Sequence, residues 1–83
     1  MKFYVYMLMS KYKHRILSYV GYTNNLNRRI KLHNEGKGAK FTKGRKWRIM
    51  YYEKFNIKRD AILREIHLKK NRKLRNLLKN KYK

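Results

Sequence analysis

The N-terminal run Phe3-Tyr4-Val5-Tyr6-Met7-Leu8-Met9 is apolar and aromatic without interruption, which predicts a buried β-strand. Phe3, Val5, Met7 and Met9 fall on one face and Tyr4, Tyr6 and Leu8 on the other. Ser10 to Arg15 is polar and basic. It leads at hairpin distance into a second apolar run, Ile16 to Tyr22, so the two strands are expected to pair antiparallel. After Gly21 the pattern becomes helical, with Thr23 or Asn24 as expected N-cap and Gly36 as the stop. Leu26, Ile30 and His33 recur at i, i+4 and i+7 and define an inward stripe. At about 100° per residue Arg29 lies beside that stripe and Arg28 near the opposite side. Arg29 is therefore the arginine expected to face the sheet.

Residues 36–46 form a basic loop punctuated by glycines, with a short helical turn expected around Ala39 to Thr42. Trp47 to Phe55 alternates as a third strand, with Trp47, Ile49, Tyr51, Glu53 and Phe55 on one side. A helix is expected from Lys58 to about Lys70, burying Ala61, Ile62, Ile66 and Leu68, and a last, frayed helix or tail over the basic segment 71–83, where Leu74, Leu77 and Leu78 stand at helical spacing. The whole reads as one α+β domain, residues 1–83: a small three-stranded antiparallel sheet flanked by helices.

Charge changes this picture most. The chain carries 25 Lys and Arg against 4 Asp and Glu, a formal net charge of +21. Self-repulsion of that size opposes a compact fold unless a polyanion neutralises it, which points to nucleic acid. The alternative is a lysine-rich composition that spreads charge without a specific partner. A membrane surface fits less well, because the C-terminal helix has only a narrow apolar face, and no apolar run approaches the roughly 20 residues that cross a bilayer. The absence of cysteine removes disulfides, thiolate nucleophiles and cysteine zinc sites. A cytoplasmic protein is expected.

Two polar residues sit where apolar ones belong. Glu65 lies in the middle of the buried stripe of its helix, about 40° from Ala61, and Arg29 faces the sheet. Burying either charge alone is costly, so each needs a partner or a wet cleft. One explanation is a buried salt bridge between the two helices. The other draws on their neighbours: Tyr6 and Tyr19 present phenols from paired strands, and His33 is one helical turn from Arg29. Singly, each is ordinary sheet or helix furniture. Together they supply the parts for phosphodiester hydrolysis: a carboxylate for a divalent cation, a guanidinium for developing negative charge, and groups that move protons.

The order Tyr4-Val5-Tyr6, then Tyr19-Val20-Gly21-Tyr22-Thr23-Asn24-Asn25-Leu26-Asn27-Arg28-Arg29-Ile30, then Gly36-Lys37-Gly38-Ala39-Lys40-Phe41-Thr42, then Glu53 and Glu65 resembles the GIY-YIG nuclease superfamily along nearly the whole chain. The likeness is to its small stand-alone bacterial members, of UPF0213 type. One departure is that Tyr4 stands where the motif's name has glycine. The resemblance implies a magnesium- or manganese-dependent endonuclease acting on single-stranded, duplex or branched DNA, in preference to RNA, in DNA repair or processing. It also implies Tyr6 and Tyr19 as the motif tyrosines, Arg29 as the helix arginine, His33 as an accessory residue, and Glu65 as ligand of Mg²⁺ or Mn²⁺. On this reading Tyr6, or Tyr19 as second choice, takes a proton from water with a lowered pKa. Lys37, Lys40, Lys43 and Arg45 in the loop and Lys69 and Lys70 beyond Glu65 are candidates for tracking phosphates, and Tyr22, Phe41 or Trp47 for stacking on unpaired bases. The rivals are a nucleic-acid-binding module or partner subunit with little activity alone, and a basic RNA-associated protein.

Overall fold

The aromatic N-terminal run is the central strand of the sheet. The computed structural model describes residues 1–82, and its elements are β1 (Phe3–Tyr12), β2 (Arg15–Thr23), α1 (Leu26–Asn34), β3 (Arg48–Phe55), α2 (Lys58–Lys70) and α3 (Arg72–Tyr82). The sheet order is β2-β1-β3, with β1 antiparallel to both neighbours. Being central, β1 is covered on both faces, and every residue from Val5 to Ser10 is buried. No helix among the described residues is long and apolar enough to cross a membrane.

The hairpin is tighter than the polar stretch Ser10 to Arg15 suggests. Pairing continues to Tyr12 opposite Arg15, leaving only Lys13 and His14 to turn. Lys13 takes a φ of 56°, the left-handed conformation that such a two-residue turn demands of its first position.

Val5, Met7 and Val20 meet Ala61 and Leu68 of α2 on one face of the sheet. Tyr6, Leu8 and Trp47 face the other way, packed by Leu26 and Ile30 of α1. β3 departs from simple alternation. Met7 pairs with Tyr51 but Leu8 with Ile49, so a bulge at Met50 reverses the facing of the strand. Trp47 and Ile49 join the Tyr6 face, whereas Tyr51 and Phe55 pack on the α2 face; they do not share one side as the alternation predicted.

Three helical expectations also change. The N-cap of α1 is Asn25, neither Thr23 nor Asn24: its Oδ1 accepts from the Arg28 N–H at 3.1 Å, and Thr23 Oγ1 accepts from the Asn25 N–H at 3.2 Å. Ile66 is 41% exposed, because it lies about 140° around the helix from Ala61, outside the arc that Ala61 and Leu68 bury. The last helix is capped, since Asn71 Oδ1 accepts from the Leu74 N–H at 2.9 Å, and Leu74 and Leu78 pack on the core. Leu77 points outward, 59% exposed, and Lys83 lies outside the described residues.

Loop 36–46 is fixed at both ends. Gly36 adopts φ 79° as the chain leaves α1. The carboxamide of Asn34 brackets the Trp47 backbone, donating to its carbonyl at 3.0 Å and accepting from its N–H at 2.6 Å. Between them the chain makes the expected turn, with Thr42 N–H donating to the Ala39 carbonyl at 3.2 Å and the Trp47 indole donating to the Thr42 carbonyl at 2.8 Å.

Candidate functional site

Tyr6 lies opposite Gly21 in the β1–β2 ladder, and its ring crosses the space a side chain there would fill. A Cβ at position 21 would come within 2.6 Å of Tyr6 Cζ, so the glycine is a steric requirement of the phenol's position. Across that gap α1 delivers His33 and Arg29. The imidazole Nε2 is 2.8 Å from the Tyr6 hydroxyl, and Arg29 Nε donates to the same oxygen at 3.3 Å. A longer bond, 3.5 Å, runs from Arg29 Nη2 to the Gly38 carbonyl. Tyr19 closes the cluster, its ring edge-on to His33 at 5.1 Å between centroids. Arg28 is exposed, as the helical wheel predicted.

His33 is fully buried, and its second nitrogen, Nδ1, is 2.8 Å from Thr42 Oγ1. One placement of the protons gives each of these contacts a donor and an acceptor. Thr42 has one hydroxyl hydrogen, which it gives to the Ala39 carbonyl at 2.9 Å, and a carbonyl can only accept. With that hydrogen on the Ala39 carbonyl, Thr42 Oγ1 accepts from His33, which then carries its proton on Nδ1. Nε2 is then an acceptor, the Tyr6 hydroxyl donates to it, and the Tyr6 oxygen accepts from Arg29, which has no acceptor of its own. The chain runs one way: Arg29 to Tyr6 to His33 to Thr42 to the Ala39 carbonyl.

Electrostatics agree with this assignment. Burial pushes the His33 pKa down, and the Arg29 guanidinium pushes the same way, so the imidazole is held neutral. Burial also raises the Tyr6 pKa above that of a free phenol, and Arg29 offsets this only in part. The lowered phenol pKa expected for a base is thus not found in the protein alone.

Glu65 stands on α2, which packs on the other face of the sheet. Its charge is felt at the Tyr6 phenol, raising the pKa further. Among the described residues it makes no hydrogen bond or ion pair with Arg29, Tyr6, Tyr19 or His33. Its partner is Lys69, at 3.6 Å, and the carboxylate side chain is 15% exposed. The buried Arg29–Glu65 salt bridge is therefore absent. No cluster of three His, Cys, Asp or Glu among the described residues could cage a metal ion. One carboxylate with a single long contact does suit a hard divalent cation that takes its remaining ligands from water and a substrate phosphate. Tyr19 shares an open cavity of about 210 Å³ with Lys69, the partner of Glu65, and with Arg75.

The GIY-YIG catalytic domain matches residues 2–83. The chain belongs to the GIY-YIG family. It is 52% identical over 68 residues to a UPF0213 protein of Clostridium perfringens, covering 81% of this chain and 70% of that one. A UPF0213 protein of Bacillus subtilis is 49% identical over 53 residues, 63% of this chain but only 54% of the relative, so the chain spans about half of that protein. The solution NMR structure of a UPF0213 protein from Bacillus halodurans superposes with a TM-score of 0.57 at 39% identity, over 99% of this chain and 87% of that one. GIY-YIG domains form a nuclease superfamily. The UPF0213 designation carries no activity, metal or substrate of its own.

Within the GIY-YIG fold the basic residues are placed unequally. Lys37, Lys40, Lys43, Lys69 and Lys70 are exposed. Arg45 is half-buried, its guanidinium over the rings of Tyr12 at 5.7 Å and Phe41 at 5.8 Å, with a buried Nε that has no hydrogen-bond partner among the described residues. Of the stacking candidates, Phe41 is 49% exposed and lies on Tyr19, Tyr22 is half-buried, and Trp47 is buried. Sequence reasoning missed Thr42, which orients His33, and Gly38, where a Cβ would sit 2.7 Å from the imidazole Cγ. The segment Gly36 to Thr42 carried a signal for both: a glycine-rich loop leaving a helix whose last inward residue is a histidine. Arg75, which donates to the Leu68 carbonyl at 2.7 Å, had no signal, because it stands in a run of similar basic residues.

Proposed function

We propose that this protein is a divalent-metal-dependent endonuclease that hydrolyses DNA phosphodiester bonds, in DNA repair or processing, with single-stranded or branched DNA preferred to RNA. The observation that carries the reading is the one-way hydrogen-bond chain from Arg29 through Tyr6 to a neutral His33, under the charge of Glu65. A phenol with a raised pKa is a poor base by itself. Relayed to His33 it need not become a phenolate: as its oxygen takes a proton from the attacking water, its own proton passes to Nε2, and the imidazolium keeps its Nδ1–H bond to Thr42. Arg29 faces the developing negative charge on phosphorus-bound oxygen. Glu65 would hold Mg²⁺ or Mn²⁺, which when bound would supply Lewis-acid stabilisation of the phosphate and leaving oxygen. Lys69 would be released from Glu65 to pair with phosphate.

The test is cleavage of labelled single-stranded, duplex and flapped DNA and of RNA, with Mg²⁺, Mn²⁺ or EDTA. Wild type should cut only with metal. Glu65→Gln should abolish metal-dependent cutting, and Arg29→Ala should slow it by roughly 10²–10³-fold, the loss typical of an oxyanion donor. Tyr6→Phe against Tyr19→Phe decides which phenol moves the proton. Binding without cutting under every condition would establish the alternative, a nucleic-acid-binding module or partner subunit with the nuclease fold. Two observations favour that alternative: Tyr6 is 1% exposed, and Lys69 already pairs with Glu65.

A further inference from the structure

A cavity of about 400 Å³ opens on the sheet face that carries Tyr6, lined among others by Tyr4, Tyr52, Lys54 and Asn27. Register puts Tyr52 directly beside Tyr6 and Lys54 beside Tyr4, and the bulge at Met50 is what turns both side chains to this face. The Tyr4 and Tyr52 rings are 6.1 Å apart and inclined at 61°, so a flat group lying on one is met by the other edge-on. Tyr52 is 53% exposed, a large aromatic surface left uncovered in a chain whose other sheet aromatics are mostly packed. Beyond that ring contact, the side chains of Tyr4, Tyr52, Asn27 and Lys54 make no hydrogen bond or ion pair with other described residues. Two hydroxyls, a carboxamide and an ammonium thus converge, unspent, around an aromatic corner. The stack of Arg45 between Tyr12 and Phe41 differs, because its groups already engage one another.

We propose that this cavity takes one unpaired nucleobase of the substrate strand. The base lies on the Tyr4–Tyr52 corner, Asn27 meets its hydrogen-bonding edge, and Lys54 meets the adjoining phosphate. An aromatic ring stacks on any base. A carboxamide offers a donor and an acceptor side by side, the pattern that base edges present, and a lysine at the rim holds the backbone. A base inside a duplex has both faces stacked and its pairing edge occupied, so only an unpaired nucleotide can enter. The substrate is therefore a single strand or the splayed end of a branch, held next to the candidate proton-transfer tyrosine. This inference rests on the nuclease reading and narrows its substrate.

Binding in EDTA tests it without hydrolysis, using fluorescence anisotropy of short single-stranded DNA and RNA oligonucleotides and the same DNA with an abasic nucleotide at each position in turn. Tyr52→Ala should weaken single-stranded DNA binding by about 5- to 150-fold, the loss of one base–aromatic stack, while Tyr52→Phe stays within about twofold because the ring remains. Lys54→Ala should reduce the salt slope by about 0.7, one phosphate contact on a single strand. One abasic position should reproduce the Tyr52→Ala loss and show no further loss in that variant. Equal affinity of wild type and Tyr52→Ala overturns the inference, as does an equal Tyr52→Ala loss with every abasic oligonucleotide. RNA bound as tightly, with the same Tyr52→Ala loss, keeps the base site and overturns the DNA preference. A wild type that cuts DNA but is indifferent to Tyr52→Ala separates failure of this site from failure of the nuclease reading. A wild type that binds no oligonucleotide ends both.

Discussion

His33 shows how one buried residue ties together charge, tautomer and pH. Its neutral form accepts from Tyr6 and donates to Thr42, and both bonds depend on a proton at Nδ1 and none at Nε2. Its folded pKa is depressed below the unfolded value of about 6.5. As pH falls through that value the unfolded chain binds more protons than the folded one, so the contribution of His33 to stability is present above it and lost below. Urea titrations between about pH 7.5 and about pH 5.5 should show wild type losing more stability than His33→Gln; equal losses would mean the imidazole is not held neutral. Arg29 was legible at this scale because a helical wheel separates it from Arg28. Thr42 was not, because its role depends on where a loop returns, and no period encodes that.

At the scale of elements, caps and turns decide where each candidate site side chain stands. Asn71 ends α2 and starts α3 by accepting from the Leu74 N–H at 2.9 Å, which lets the basic C-terminal segment fold back so that Arg75 reaches the end of α2. Asn71→Ala should cost about 1 kcal/mol in chemical denaturation, as loss of an N-cap does. The same change should disturb the cavity that Arg75 and Lys69 share with Tyr19, read as weakened DNA binding with the core intact. The apolar stripes of β1, β2 and α1 could be read directly from the sequence. The β3 faces could not, since a single unpaired residue at Met50 changes which neighbours the strand meets without changing its composition.

For the whole molecule, the net charge of +21 makes association with a polyanion the dominant long-range term. If Lys37, Lys40, Lys43, Arg45, Lys69 and Lys70 each met one phosphate, the logarithm of the single-strand binding constant would fall with the logarithm of salt at a slope of about −4. A slope of about −3.5 is expected if Arg45 stays in its aromatic stack, and salt titrations of wild type and Arg45→Ala distinguish the two. The sequence by itself determined the α+β class, the strand and helix order, the inward Arg29 and Glu65, and the tyrosines, because hydrophobic period and spacing are local properties. Only the tertiary structure decided that Glu65 pairs with Lys69 and not Arg29, that Thr42 sets the His33 tautomer, and that Tyr52 and Lys54 face the same way as Tyr6. Those outcomes depend on which distant groups meet across a strand, a loop or a bulge, and contact between distant residues is settled by packing, not by period.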